Sequence, residues 1–377
     1  MSDKRSLLPK ADRTPWTPLH AKLHRTIRSR HLFERNQRLL VAVSGGQDSL
    51  CLIKLLLDLQ PKWGWNLSIV HCDHRWRPDS QANANHVENL AKNWDLSFYL
   101  RTAHEPLKSE AAARNWRYQA LSTIACENQF HCIITGHTAS DRAETLLYNL
   151  IRGTGADGLQ ALTWQRLLDN GIVLVRPLLE MTRTQTGQFC QDFQLPVWED
   201  STNQDLKFAR NRIRQQLLPY LQENFNLQVE SALAQTAEIL QAEVEYLEQA
   251  AHRLREEASG EMGRWGDEPD EGVGEDGEDV EVFSPPTFPL RLNRRVLQKA
   301  PLALQRRVMR QVLQEILQSA PSFEQIEKLI ALITAPNRSQ TDPFPGGAIR
   351  SASSLRLIAQ VQGDWIYLKQ FRVKMSD

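Results

Sequence analysis

The sequence predicts an α/β protein: a doubly wound, mostly parallel, Rossmann-like sheet followed by an α-helical C-terminal region. Three observations carry this. From Arg38 to Phe193 short apolar runs alternate with helical spacings, the pattern of βαβ units with helices on both faces. After Leu206 strand signals stop and helical spacing takes over. The first apolar run empties into a Gly-Gly pair, where such sheets place a ligand-binding turn.

The elements follow in order. Arg38 to Val43 reads as a buried strand, and Asp48 to Leu59 as a helix with Leu52, Leu55, Leu56 and Leu59 on one side. Leu67 to His71 is a second strand, Ser80 to Trp94 a helix, and Leu96 to Leu100 a third strand. Glu110 to Cys126 is an Ala-rich helix, His131 to Thr135 a fourth strand, and Ala139 to Ile151 a helix. Gly171 to Val175 is a fifth strand, followed by a helix near Thr184 to Phe193. Further on, Lys207 to Leu221 and Glu230 to Arg255 read as helices, the second with one apolar stripe from Leu233 to Leu254 suited to packing. Leu290 to Ile333 gives two or three helices broken at Pro301 and Pro321, and Ser354 to Leu368 a terminal hairpin. The expected domains are a basic N-terminal extension with a helix (1–35), an α/β domain (36–215) and a helical domain (216–258). An acidic, disordered linker (259–289) and a C-terminal helical domain with terminal strands (290–377) complete them.

Composition narrows the class. The 377 residues suffice for two or three domains. No apolar stretch approaches the ~20 residues that span a bilayer, and Met1 to Arg30 lacks an apolar signal core, so a soluble, cytoplasmic protein is expected. Its five cysteines form no Cys-x-x-Cys, which argues against a zinc site or redox pair. The net charge of zero hides an asymmetry. Asp267 to Glu281 holds nine of the 45 acids and no base, leaving nine surplus bases elsewhere. Such a charge block marks a linker or tail, and a basic body suits a polyanionic partner.

The run Ser44-Gly45-Gly46-Gln47-Asp48-Ser49 joins the first strand to the first helix. Two glycines let the backbone turn sharply and approach a ligand. The helix behind them offers free N–H groups and a positive dipole end to phosphate, and Ser44 and Ser49 add hydroxyls. Asp48 would repel bare phosphate, which points to a Mg²⁺ between carboxylate and phosphates. No Gly-Lys-Ser/Thr follows, so this is not a Walker loop.

More motifs follow at the ends of later strands: His71-Cys72-Asp73-His74-Arg75-Trp76-Arg77, Glu110 to Tyr118, and Thr135-Gly136-His137-Thr138-Ala139-Ser140-Asp141-Arg142-Ala143-Glu144-Thr145. Next come Arg152-Gly153-Thr154-Gly155, Arg176-Pro177-Leu178-Leu179, Trp198 to Asn203 and Arg210-Asn211-Arg212-Ile213-Arg214. The Ser44 to Ser49 loop resembles that of the PP-loop ATP-pyrophosphatases. The ordered set, across Arg38 to Tyr220 and more loosely after Leu290, resembles the tRNA(Ile)-lysidine synthetase family.

That resemblance implies ATP and Mg²⁺ as cofactors, L-lysine and a tRNA(Ile) with a CAU anticodon as partners, and a homodimer. It implies ATP activation of the C2 oxygen of the wobble cytidine and attack there by lysine. The expected catalytic set is Asp48, Arg114, His137, Asp141 and Glu144, and Ser44, Gly45, Gly46, Gln47, Asp48 and Ser49 hold ATP. Arg114 matches the family arginine that faces the reaction centre. His137, at a strand end, is open between phosphate contact or proton transfer and plain packing. Asp141 and Glu144, three apart on one helix face, would bind lysine, the bland alternative being a solvated acidic face with Arg142 as partner. Arg210, Arg212 and Arg214, with Arg294, Arg295, Arg306 and Arg307, are the expected tRNA contacts. No acid interrupts Leu290 to Gln314, which favours a polyanion over a merely solvated face. The family's usual His-His-x-Asp-Asp run is His137-Thr138-Ala139-Ser140-Asp141 here, which leaves Asp48 with more of any metal. Two rivals stay open: another PP-loop tRNA-modifying enzyme, against which the missing paired cysteines speak, and an inactive RNA binder.

Overall fold

A computed structural model of the chain describes residues 15–75, 78–105, 109–199, 205–259, 290–317, 320–345 and 353–374. The acidic run Asp267 to Glu281, motif residues Trp76, Arg77 and Asp200 to Asn203, and residues 1–14 of the N-terminal extension lie outside the described residues. The chain divides into two compact units, 1–241 and 242–377, so the helical stretch expected as a domain at 216–258 is shared between them.

The first unit opens with α1 (Pro18–Ser29), whose Thr17 caps it in a capping box with His20. Then come β1 (Arg38–Ala42), α2 (Gln47–Trp63), β2 (Asn66–Asp73), α3 (Ser80–Asn93), β3 (Ser97–Thr102) and α4 (Glu110–Glu127). They are followed by β4 (Cys132–Thr135), α5 (Ala139–Ile151), a single turn α6 (Ala156–Leu159), β5 (Gln165–Leu167), β6 (Val173–Val175) and α7 (Arg183–Asp192). The six strands lie in the order β3-β2-β1-β4-β6-β5. All neighbours are parallel except the edge pair β5–β6. The edge strand β5 is absent from the sequence reading because its three residues, Gln165 to Leu167, are all exposed and too few to show an alternation.

β1 shows why the sheet is doubly wound. Leu39 and Val41 point into one core, shared with Leu50, Leu55, Val87 and Phe189 of α2, α3 and α7. Leu40, one residue out of phase, joins the opposite core with Leu121, Ile124 and Ala125 of α4. A period of two on a strand covered on both faces requires this. Strand order reverses between β1 and β4, so the loops that leave these strands flank the crevice where open α/β sheets bind ligands.

After α7 the chain runs through α8 (Ala209–Arg212), a π-turn (Ile213–Leu217), α9 (Leu218–Asn224) and α10 (Val229–Ser259). The second unit holds the last part of α10, β7 (Leu290–Asn293), α11 (Arg294–Gln298), α12 (Leu302–Leu317), α13 (Phe323–Thr334), β8 (Phe344–Pro345), β9 (Ser353–Gln362) and β10 (Trp365–Lys374). The expected helices and terminal hairpin are present, and two short strands extend that hairpin into a sheet. The strands form a four-stranded antiparallel sheet, β7-β10-β9-β8. Its core joins Leu292, Leu357, Val361 and Ile366 to Val308, Leu313 and Leu329 of the helices. β7 escaped notice because its alternation lasts four residues and runs straight into α11.

Candidate active site

Ser44 to Ser49 turns off β1 as expected. Gly45 sits at φ +89°, open to glycine at little cost. A Cβ there would come within 2.6 Å of Asn83 Oδ1, so the loop lies against α3, and Asn83 Nδ2 donates to the Ser44 carbonyl (3.0 Å). Ser49 Oγ donates back to the Gly46 carbonyl (2.8 Å) and accepts from the Ser44 N–H (3.1 Å). No side chain caps Gly46 at the start of α2. That pre-shaped turn at a helix N-terminus fits a nucleotide phosphate. Gln47 turns its amide away, donating to the Arg183 carbonyl (2.7 Å).

The second loop comes off β4. Gly136 is placed so that a Cβ would meet the Asp48 carbonyl oxygen at 2.9 Å. Its neighbour His137 pairs through Nδ1 with Thr135 Oγ1 (2.9 Å). Burial, and then Arg176, Arg114 and Arg117, hold the imidazole well below its usual pKa although Asp141 opposes them, so it is neutral at pH 7. Thr138 caps α5, and its N–H (2.8 Å) and Oγ1 (2.7 Å) both donate to Asp141 Oδ2. The departures from the family run thus have work of their own. Thr138 aims Asp141, while Ser140 donates to Glu230 Oε2 (2.7 Å) and accepts from the Arg183 N–H (3.0 Å).

Asp141 and Glu144 are not a solvated face. The Glu144 side chain is 3 % exposed and Asp141 18 %. Their partner is not Arg142, which is buried on the other side of α5 with Glu238 (2.6 Å) and Gln241 (3.0 Å). It is Arg183, the first residue of α7. Arg183 Nη2 donates to Asp141 Oδ1 (3.0 Å), Nη1 to Glu144 Oε1 (3.4 Å) and Nε to Asp48 Oδ2 (3.1 Å). Thr186, one turn along, donates to the other Asp48 oxygen. Arg214 grips Glu144 from the far side, Nε to Oε1 (2.6 Å) and Nη2 to Oε2 (2.8 Å).

This cluster sets the local proton affinities. Burial raises Asp48 and Glu144 above the usual carboxylate range, against the pull of Arg183 on the one and Arg214 on the other. In Asp141 burial is outweighed by Arg183, His137 and the Thr138 hydrogen bonds, and its pKa falls. Arg183 is raised, the three carboxylates overcoming its own desolvation.

A second cluster is purely basic. Arg114 and Arg166 lie over the Tyr118 ring (5.2 and 5.6 Å), and buried Arg176 donates to the Thr163 carbonyl (2.6 Å). Among the described residues no carboxylate pairs with Arg114, Arg166 or Arg176. Burial, and repulsion from Arg210, Arg117 and Arg166, lower the Arg114 pKa against the pull of Tyr118. Arg117 donates to His74 Nε2 (3.1 Å) rather than to an acid.

Sequence reasoning missed Arg183, Thr186, Arg166 and the carboxylate partner of Arg214. One signal was available for Arg183. Asp48, Asp141 and Glu144 converge on one sheet edge and need a counter-cation, and α7 starts at the same edge with an arginine.

The remaining expected tRNA contacts are engaged within their own units. Arg306 pairs with Glu327 (2.7 Å), Arg295 with Asp364 (2.7 Å), and Arg307 and Arg310 with Glu248. Arg294 donates to the Ala335 carbonyl. Arg212 donates to the Leu206 and Lys207 carbonyls (2.8 and 3.0 Å), and Arg210 lies over Tyr148 (5.8 Å).

Comparison with known proteins agrees with this layout. A model of the PP-loop domain matches residues 17–221, and one of the TilS substrate binding domain matches 292–355. A curated tRNA(Ile)-lysidine synthase from Nostoc sp. is 72 % identical over 354 residues, covering 94 % of this chain and 97 % of the relative. The chain belongs to the tRNA(Ile)-lysidine synthase family. It is a ligase-type enzyme on an ATP-binding PP-loop domain. A relative of the same name from Synechocystis sp. is 47 % identical over 93 % of this chain and 97 % of its own. Among solved structures, the U34-tRNA thiolase NcsA of Methanococcus maripaludis is similar at TM-score 0.51 and 15 % identity. It covers 59 % of this chain and 77 % of that one, a likeness of fold alone. No helix among the described residues is long and apolar enough to cross a membrane.

Proposed function

We propose that the chain ligates L-lysine to C2 of the wobble cytidine of a tRNA(Ile) with a CAU anticodon, producing lysidine. The cytidine C2 oxygen attacks the α-phosphorus of ATP, and pyrophosphate leaves. The neutral ε-amine of lysine then attacks C2, AMP departs with that oxygen, and the amine gives up a proton. The modified base pairs with A, so the codon read changes from AUG to AUA and the tRNA identity from Met to Ile.

One observation carries the choice of nucleophile. Asp141, half-buried, and Glu144, buried, stand one turn apart across the crevice from the phosphate loop and already hold a cation. Such a pair binds an ammonium and is placed to take its proton. Ser44 to Ser49 would hold the triphosphate. Arg114, with no acid to neutralise it among the described residues, would face the charge that develops on the activated cytidine. Neutral His137 would hydrogen-bond there rather than add charge.

Mg²⁺ would arrive with ATP and neutralise its phosphates. Asp48 is the residue to meet it, yet both its oxygens are engaged by Arg183 and Thr186. Among the described residues no group of three or more potential ligands stands ready to hold an ion. The arginines of the second unit, with Arg210 and Arg212, would meet the tRNA backbone, and the enzyme would work in the cytoplasm, as a homodimer.

The test is incubation with ATP, Mg²⁺, labelled lysine and CAU isoleucine tRNA. Label entering the tRNA with matching AMP is the expected result. AMP without lysine incorporation would indicate another nucleophile, and no ATP turnover would favour an RNA binder.

A further inference from the structure

We propose that Arg183 is the resting occupant of the amino-acid cation site, displaced when lysine binds, and that this competition sets the apparent lysine affinity. The inference rests on the lysine-ligation reading.

The geometry is that of a stand-in. Arg183 sends one nitrogen to each of three carboxylates, and the Glu144 contact is the longest at 3.4 Å. Its backbone is fixed: the N–H is held by Ser140 and the carbonyl by Gln47. Its long side chain alone crosses the crevice and can leave by rotamer change, without moving α7. At 28 % exposure it is open to solvent, unlike buried Arg142 and Arg176.

Exchange also leaves every carboxylate satisfied. Glu144 keeps Arg214, Asp141 keeps two donors from Thr138, and Asp48 keeps Thr186. Swapping one cation for another leaves the local charge constant, so no buried carboxylate is left alone. A site occupied part of the time by its own side chain shows a ligand affinity reduced by the unoccupied fraction.

The experiment uses the full-length protein and reads lysine binding by calorimetry, separately from turnover. Arg183→Ala removes the competitor, and apparent lysine affinity should rise about tenfold. Arg183→Lys keeps a cation of shorter reach and should give a smaller rise; it carries the test if the alanine variant does not fold. Guanidinium ion at low millimolar concentration should compete with lysine in Arg183→Ala and leave the parent unaffected, an effect no purely structural brace predicts. Lysine binding unchanged or weaker in the variants would overturn the proposal, as would guanidinium acting without competition. A parent that fails to place lysine on tRNA overturns the functional reading and this inference with it. A parent that does so, beside variants that bind lysine no tighter, overturns this inference alone.

Discussion

Two sets of arginine–carboxylate contacts, one in each unit, look alike in sequence and differ in physics. In the first unit Arg183 and Arg214 serve three carboxylates at a sheet edge, with Glu144 3 % exposed. In the second, Arg306–Glu327 and Arg295–Asp364 are single pairs with side chains 34–72 % exposed. Burial makes each charge in the first set depend on its neighbours. Exposure makes the second set weak and screened by salt. A positive residue therefore says little until its partner's depth is known. Under the proposed reading the shared, buried contacts serve chemistry, and the exposed pairs can open to a polyanion at small cost.

The largest effect expected from this contrast is on rate. Asp48→Asn keeps the shape but removes the charge that the phosphate loop carries, and lysine incorporation should fall about 10²- to 10³-fold. Initial rates at saturating lysine measure it, and a loss below tenfold would place Asp48 outside the chemistry. Stability comes next. Glu144→Ala leaves Arg214 and Arg183 short of a buried partner and should cost about 3 kcal/mol in urea unfolding. Arg306→Ala, tested beside it, should leave the urea midpoint unmoved; equal losses from the two would abolish the distinction between the units.

Arg306→Ala and Arg295→Ala should each weaken tRNA binding evenly across sequences and reduce the salt slope by about one. Titrations across ionic strength would show it, and an unchanged slope would remove these arginines from the interface.

The smallest effect concerns a third kind of pair, Arg117 with His74. Burial first, and then Arg117, hold the His74 pKa down to about 4, against Asp73. The unfolded chain takes up that proton near the ordinary value of about 6.5. Between these values the unfolded state binds more protons, so stability is full above about pH 6.5 and declines toward pH 4. An NMR titration that finds His74 half-protonated above pH 6 would contradict this.

What was legible in the sequence follows the same division. α5 was bounded from Ala139 to Ile151 because its signals are local: Thr138 caps it and Asp141 completes the box three residues on. The phosphate loop and the carboxylate pair were legible for the same reason. Arg183 was not, because it begins a helix 135 residues from Asp48 and 42 from Asp141. Its contacts exist only where β1 and β4 end and α7 begins. The second sheet was hidden by short strands, β7 with four residues and β8 with two. The acid-free run Leu290 to Gln314 misled about free charge, since Glu248, Glu327 and Asp364 reach those arginines from elsewhere in the chain.

Gly136 leaves no room for a methyl group beside the Asp48 carbonyl. The loops that leave β1 and β4 are therefore a single interlocked part. Evolutionary drift at either one is confined to changes that leave the other's backbone in place. An engineer seeking a different amine nucleophile would keep Gly136 and Asp48 constant and diversify the side chains around Glu144.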